Sequence, residues 1–258
     1  MGLPVLVLGY SGSGKSSSMR NFKPDELALV NVNGKYLPFR GAFNEKLNSD
    51  NYQDIIRFIK NAKTKTIVVD DSQYLLANEF MRRGNEKGYD KFTEIGNHFW
   101  NLIRSVEALP GDVIVYFLHH IESTDDGRLK AKTVGKMLDE KINVEGMFSI
   151  VIRTDVSEDG YQFATQSNGC DPCKTPIGMF SEPMIPNDLR LVDETIRTYY
   201  GLVPEHHCTD CGEVIMPTPT RSVTDIVTGS TNKFGCKLCL ACGRKRMEAI
   251  NAAETVSE

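Results

Sequence analysis

Residues Gly9-Tyr10-Ser11-Gly12-Ser13-Gly14-Lys15-Ser16 fit G-x-x-x-x-G-K-[ST], the pattern of a phosphate-binding loop, and follow directly on the apolar run Pro4-Val5-Leu6-Val7-Leu8. Glycines at this spacing let the backbone fold around an anion, so that its N–H groups and the positive end of the following helix point at phosphate. The expected nucleotide-binding residues are Gly9, Tyr10, Ser11, Gly12, Ser13, Gly14, Lys15, Ser16 and Ser17. Lys15 would reach the β- and γ-phosphates, and the Ser16 hydroxyl would hold Mg²⁺. A glycine-rich turn without chemistry is the competing reading; the preceding strand and an acid-bearing strand downstream argue against it.

That downstream strand is Thr66-Ile67-Val68-Val69-Asp70-Asp71-Ser72. A near-continuous apolar run suits a parallel strand covered on both faces, and an acid at its carboxyl end sits where open α/β sheets bind ligands. Asp70 is the acid expected to order the Mg²⁺ shell. For Asp71 two readings stay open: a general base that orients the attacking water, or a solvated residue at a strand end.

A second chemistry lies in the tail. None of the seven cysteines precedes Cys170, and five fall between Cys208 and Cys242. Cys208-Thr209-Asp210-Cys211-Gly212 and Cys239-Leu240-Ala241-Cys242-Gly243 are each C-x-x-C followed by glycine. Two such pairs supply four thiolates for one tetrahedral Zn²⁺, and an intracellular chain would keep them reduced rather than disulfide-bonded. The segment between the pairs is longer than the usual spacing of about 15–20 residues. Cys236, His206 and His207 compete as ligands. Pro217, Thr218, Pro219, Thr228, Gly229 and Ser230 suggest an exposed hairpin or loop between the pairs. So small a region buries too little apolar surface alone, and the metal would supply its folding energy. Cys170-Asp171-Pro172-Cys173 is a separate C-x-x-C, read as two small loop residues rather than a redox or metal pair.

The elements that must position these groups read as alternating strand and helix. Leu27–Val32 reads as a strand and Tyr52–Ile59 as a helix. Phe92, Ile95, Phe99, Leu102, Ile103, Val106 and Leu109 recur at spacings of three and four, the stripe of an amphipathic helix packed on a sheet. Asp112–His120 gives another buried strand after Pro110-Gly111. Its final residues, His119 and His120, stand at the carboxyl edge, where either is a candidate sensor of the γ-phosphate. Glu122–Gly146 carries no strand signal but holds Arg128, Lys130, Lys132, Lys136 and Lys141, interspersed with Asp125, Asp126, Asp139 and Glu140. A loop of this kind beside a nucleotide edge is where function concentrates, although a solvated charged loop has the same composition. Phe148–Thr154 and Tyr161–Thr165 resume strand character around Glu158-Asp159-Gly160, and Leu189–Tyr200 reads as a closing helix.

With 258 residues and 40% hydrophobic content, the chain can bury one substantial core and a small satellite. Its net charge of -4 gives no global attraction to nucleic acid, so such binding would need local basic patches. The sequence lacks an apolar stretch long enough to span a bilayer, and its first residues already read as core strand. A soluble, cytoplasmic protein without membrane partners is expected.

The order of phosphate loop, Thr66–Ser72 strand, Val113–His120 strand, lysine-bearing loop and Phe148–Thr165 hairpin resembles the ATPase core of RecA-like recombinases. Asn31-Val32-Asn33-Gly34-Lys35-Tyr36-Leu37-Pro38-Phe39 and Lys132-Thr133-Val134-Gly135-Lys136-Met137 resemble phage-encoded ATP-binding proteins of the Sak-type single-strand annealing group. The resemblance covers residues 1–202, leaving 203–258 as the zinc-ribbon-like module with a basic tail. It implies an α/β fold, a RecA-like P-loop NTPase core with a mostly parallel sheet flanked by helices. It implies ATP, Mg²⁺ and, for the tail, Zn²⁺. It makes Lys15, Ser16 and Asp70 the nucleotide and Mg²⁺ residues and His120 the switch toward a DNA loop. Lys174 becomes a lysine that reaches a neighbouring subunit's phosphates in a homo-oligomer. Single-stranded DNA and phage replication or recombination proteins are the implied partners. One departure stands out: where RecA-like enzymes end the second strand with a catalytic glutamate, this chain has Asn33, which cannot accept a proton. The implied activity is ATP hydrolysis modulating single-stranded DNA binding or annealing; the alternative is a nucleotide-gated binding module with little turnover that recruits a protein through its zinc module.

Overall fold

Runs of consecutive apolar residues, too short for helices and rich in valine, isoleucine and leucine, build the centre of the molecule. The computed structural model describes residues 1–258 apart from 136, 137, 139–141, 159, 219 and 256–258, and apart from the side chains of 252–255. Lys136, Met137, Asp139, Glu140, Lys141, Asp159 and Pro219 therefore lie outside the described residues. Contacts divide the chain into two compact units, Met1–Arg190 and Leu191–Glu258.

The first unit holds β1 (Leu3–Gly9), β2 (Ala28–Asn31), β3 (Glu45–Leu47), α1 (Tyr52–Asn61), β4 (Thr66–Asp70), α2 (Gln73–Arg82), α3 (Asp90–Glu107), β5 (Ile114–Ser123), β6 (Leu129–Ala131), β7 (Ile150–Ser157), β8 (Gly160–Ala164) and β9 (Met184–Pro186). The strands form one sheet in the order β3-β2-β4-β5-β1-β7-β8-β9, with β6 added antiparallel to the end of β5. From β3 to β7 the pairing is parallel, and β8 and β9 close the edge antiparallel. The fold is thus a mixed α/β, mostly parallel sheet flanked by helices.

Alternation decides which face each residue covers. Leu6, Leu8, Val30, Val69, Val115 and Phe117 pack with Ile55 and Ile59 of α1 and Ile95, Phe99, Leu102 and Ile103 of α3. Val5, Val7, Leu29, Val68, Tyr116 and Leu118 point to the opposite face and are also fully buried. Burial on both faces is why these strands are continuously apolar. At the entry to α1, the Asn51 side chain accepts from the backbone N–H groups of Gln53 and Asp54, a cap for donors the helix cannot satisfy itself.

Four features depart from the sequence reading. The segment after the phosphate loop is a six-residue 3-10 helix, Ser16–Asn21, rather than a long α-helix. Glu122–Gly146 is not strandless: β5 runs on to Ser123 and pairs with β6, both too short and too polar there to leave an apolar signal. β3, α2 and β9 are additional elements, each short or only weakly patterned. The tail segment read as a hairpin or loop contains a helix, α5 (Val223–Phe234).

α4 (Leu189–Tyr199) straddles the division between the units. The second unit continues with α5 and α6 (Leu240–Thr255). Ser222 caps α5 in a reciprocal capping box with Asp225, and Gly235 ends it in the left-handed conformation at φ +72°. The capping signal Ser222-x-x-Asp225 is present in the sequence, masked by the turn-forming residues around it. Among the described residues no helix is long and apolar enough to cross a membrane.

Phe117 is fully buried at the centre of the sheet, with its ring edge-on to Phe99 and Phe148 at centroid distances of 6.5 and 5.7 Å. Replacing Phe117 by Ala should lower the unfolding free energy by about 3–5 kcal/mol in urea titration. A loss below about 1 kcal/mol would contradict its place in the core.

Candidate nucleotide site and four-cysteine centre

The parallel register sets the site. Gly9 at the end of β1 lies beside His120 of β5, and Asn31 at the end of β2 lies beside Asp70 at the end of β4. β5 stands between the loop-bearing strand and the acid-bearing strand, which brings His120 into the same cleft as Lys15 and the carboxylates. Gly12 and Gly14 take φ of +76° and +97°, a backbone conformation that glycine reaches without strain. Gly14 is also sterically required, since a Cβ there would meet Tyr161 at 2.8 Å.

The predicted loop residues divide by role. Ser11, Gly12, Gly14, Lys15, Ser16 and Ser17 line a cleft of about 370 Å³ together with Lys35, Tyr36, Pro38, Asp70, Asp71, His120 and Tyr161. Gly9 and Ser13 instead serve the loop's own shape. A Cβ on Gly9 would sit 1.9 Å from Thr154 Oγ1, and the Ser13 hydroxyl bonds Thr154 Oγ1 at 2.5 Å. Tyr10 turns outward, its hydroxyl 2.8 Å from Ser123 Oγ at the end of β5.

Lys15 is buried, and its ammonium donates to the carbonyls of Gly9 and Tyr10, both at 2.8 Å. Burial pulls its pKa down to about 8, against the opposing charges of Asp71 and Asp70. Ser16 Oγ donates to Asp70 Oδ1 at 2.8 Å, which brings a hydroxyl and a carboxylate together as a Mg²⁺ shell requires. Burial, and then the charge of Asp71, pushes the Asp70 carboxyl up to about 6; the Ser16 hydrogen bond pulls the other way. The buried ammonium, the glycine-bearing loop and the paired hydroxyl and carboxylate fit a triphosphate with its Mg²⁺.

Asp71 is no solvated strand end. It takes φ +61°, a conformation non-glycine residues seldom adopt, and three donors converge on its carboxylate. Oδ2 accepts from Lys35 Nζ at 2.8 Å and Asn33 Nδ2 at 3.0 Å, while His120 Nε2 stands 3.5 Å from Oδ1. Burial pushes its carboxyl up, but the hydrogen bonds from His120, Lys35 and Asn33 outweigh it and hold the group below the ordinary carboxylate range. Asn33 thus acts on Asp71 as a donor.

The two histidines differ. His119 is fully buried, with Nε2 2.9 Å from the Lys132 carbonyl and Nδ1 2.9 Å from Ser72 Oγ. A carbonyl only accepts, so Nε2 carries the proton, and burial pulls the ring's pKa down to about 3. It is a neutral joint inside the fold, away from the cleft. His120 lines the cleft, its ring against the edge of Tyr74 at 5.7 Å. Lys174 is exposed, its backbone bridging Val151, and it lines a separate cavity with Lys130 rather than the nucleotide cleft. Sequence reasoning passes over Lys35 and Tyr161 as site residues; an Asn-Gly-Lys turn directly after a strand is the available signal for Lys35.

All of these elements lie within residues 1–175, which match the family model described as an AAA domain. The chain belongs to the AAA domain family. No curated protein matches the chain. An AAA domain is a nucleotide-binding ATPase domain of P-loop type, and ATP with Mg²⁺ is the ligand it implies.

Beyond the AAA domain, the sulfurs of Cys208, Cys211, Cys239 and Cys242 lie within 4.8 Å of one another. Cys211 Sγ and Cys239 Sγ are 3.9 Å apart, close to the roughly 3.8 Å expected between thiolates in a tetrahedron with Zn–S near 2.3 Å. The donor set fits zinc. The two glycines after the pairs differ: Gly212 takes φ +74° in a turn, whereas Gly243 lies inside α6. One pair therefore sits on the turn of a short 206–215 hairpin and the other at the start of a helix. Cys236 faces the Arg246 guanidinium at 3.4 Å, His206 Nδ1 faces Lys237 Nζ, and His207 Nδ1 faces the Gly212 carbonyl. Cys170 and Cys173 stay free thiols, and burial beside Asp171 pushes Cys173 up.

The purified chain should carry about one zinc, as a single four-thiolate site requires. Cys242→Ser should release it in a chromogenic chelator assay and Cys236→Ser should not; the reverse pattern would show Cys236 to be the ligand. A pH prediction follows from Asp70. Its folded pKa lies above its ordinary value of 3.8, so its ionisation opposes folding; the penalty is absent below about pH 4, grows to pH 6 and is complete above. In buffer without nucleotide or Mg²⁺, Asp70→Asn should raise the stability at pH 7.5 by at most about 3 kcal/mol and leave it unchanged near pH 4. A gain independent of pH would refute the assignment.

Proposed function

We propose that this AAA-domain protein binds and hydrolyses ATP, and that nucleotide state governs its hold on single-stranded DNA in phage recombination or replication, in the host cytoplasm. The observation that carries the hydrolytic part is the meeting of Lys15, Ser16, Asp70 and Asp71 in one cleft. In the reaction the oxygen of a water bonds to the γ-phosphorus as the bond to the β–γ bridging oxygen breaks, leaving ADP and phosphate. Ser16 and Asp70 would hold Mg²⁺, which would supply charge neutralisation at the phosphate oxygens. The loop N–H groups and Lys15 hold the chain of phosphates, while Asp71 orients the water and takes up its proton.

The DNA part is supported by how the basic hairpin is tied to the site. The backbone of Lys132 is bonded at both ends to the histidine pair: its N–H donates to the His120 carbonyl at 2.8 Å, and its carbonyl accepts from His119. Tyr10 in the phosphate loop reaches Ser123 in the same hairpin. A shift at the γ-phosphate therefore has a short path to Arg128, Lys130 and Lys132. Assembly into a homo-oligomer would give Lys174 a neighbouring site to reach. The second reading, a nucleotide-gated module that recruits a protein through the four-cysteine unit, is favoured by the three donors that restrain Asp71.

ATP turnover with and without single-stranded DNA decides between them. Lys15→Ala should abolish turnover, and Asp71→Asn should keep ATP binding but lose turnover by about a hundredfold or more. Parental turnover in Asp71→Asn would favour the binding module. Neutralising Lys130 and Lys132 should weaken DNA binding and reduce its logarithmic salt slope by about 0.7 for each lost phosphate contact. Loss on neutralising Arg244, Lys245 and Arg246 instead would move the DNA site to the tail.

A further inference from the structure

Lys35 has a position that the ATPase reading leaves without a task. A turn follows β2: Gly34, at φ +64°, donates its N–H to the Asn31 carbonyl, and the Asn31 side chain donates to the Lys35 carbonyl at 2.6 Å. This turn aims both Asn33 and Lys35 at Asp71 Oδ2. The Lys35 ammonium lies 4.9 Å above the centre of the Tyr74 ring and lines the same cleft as Lys15 and the phosphate loop. Asp71 is also held by Asn33 and His120 and does not depend on Lys35 alone.

We propose that Lys35 is a second phosphate-binding lysine, which leaves Asp71 to hold the terminal phosphate of a bound nucleoside triphosphate and thereby frees Asp71 Oδ2 to accept a hydrogen bond from water. The exchange is physically cheap. The Lys35 side chain is 59% exposed, so solvent screens its pair with Asp71, and such half-open ion pairs contribute little. A terminal phosphate offers more charge and three acceptor oxygens against the single carboxylate oxygen that Lys35 now shares with Asn33. The ring of Tyr74 keeps the ammonium close to the cleft in either arrangement, since a cation over an aromatic face is attracted wherever its second partner lies. Without a γ-phosphate Lys35 stays on Asp71, so one side chain both recognises the triphosphate and restrains the general base until it is present. Asp71 keeps its unusual backbone throughout, because Asn33 and His120 remain in place.

This inference rests on the nucleotide reading, and calorimetry with β,γ-imido-ATP and with ADP, both with Mg²⁺, separates the two. Lys35→Ala should weaken β,γ-imido-ATP by about tenfold or more and ADP by less than about threefold. Lys35→Arg should restore most of the difference. Asp71→Asn removes the competing carboxylate, so it should tighten β,γ-imido-ATP when Lys35 is present and have no such effect in Lys35→Ala. Equal weakening of both nucleotides, or none, would overturn the role of Lys35 while binding by the parent and its loss in Lys15→Ala leave the nucleotide reading standing. Failure of the parent to bind either nucleotide would overturn both.

Discussion

Two ammonium groups and two carboxylates share one cleft at the ends of parallel strands, and the rest of the site is arranged around keeping these charges balanced. Lys15 and Asp70 are nearly buried, each with a pKa displaced toward neutrality, and neither is directly paired with the other. Burying unpaired charge is costly. The fold offsets that cost with hydrogen bonds: the Lys15 ammonium donates to the Gly9 and Tyr10 carbonyls, and Asp70 accepts from the Ser16 hydroxyl and the Asp71 N–H. The polar groups that touch the pair, from the Gly9 carbonyl to the Ser16 hydroxyl, are placed by the register of β1, β5 and β4. Triphosphate and Mg²⁺ are the complement that would relieve both charges at once, which makes ligand binding and stability the same electrostatic problem.

The neighbouring carboxylate solves the opposite problem. Asp71 lies one residue beyond Asp70 yet is held ionised by three donors, while Asp70 is pushed toward its neutral form. Two adjacent acids with separated affinities for a proton can take different roles in one reaction. The separation comes from the burial of Asp70, and from the hydrogen bonds that His120 of β5 and Lys35 and Asn33 of the turn after β2 give to Asp71. Asn33, which cannot itself accept a proton, contributes by fixing the residue that can.

The parts of this arrangement that are legible in the sequence are those with strong local signatures. The glycine pattern of 9–16, the apolar run ending in Asp70 and Asp71, and the C-x-x-C pairs each occupy a few adjacent residues whose types, at that spacing, suit phosphate, Mg²⁺ or thiolate chemistry and little else. The mostly parallel sheet follows from continuous apolar strands separated by helical stripes. What stays hidden depends on distant pairing. β6 is three residues long and owes its existence to the end of β5, so no period marks it. Lys35 reads as an ordinary charged residue in a glycine turn until Asp71 is seen beside it. The tail helix α5 is obscured because Thr228, Gly229 and Ser230 favour turns when isolated, whereas here the Ser222 cap and the burial of Ile226 outweigh that preference.

The four-cysteine unit shows the same dependence on chemistry over burial, at smaller scale. Its described core is Cys208, Ile215, Ile226 and Leu238, with Cys236, Cys239 and Cys242 among the half-buried residues packed around them. Even with Val223, Val227, Phe234 and Leu240 packed against it, that is little apolar surface for two helices and a hairpin. A hydrogen bond from the Thr209 N–H to the Lys237 carbonyl and the ion pair between Arg246 and Asp210 tie the two cysteine pairs together. Both ties are exposed or at the edge, where such contacts are weak. Convergence of four thiols to this spacing fits a metal that binds all of them, and such a metal would supply folding energy that so small a core lacks. A metal held there would have a structural role, since four thiolates fill a tetrahedral shell and leave no open position for a substrate.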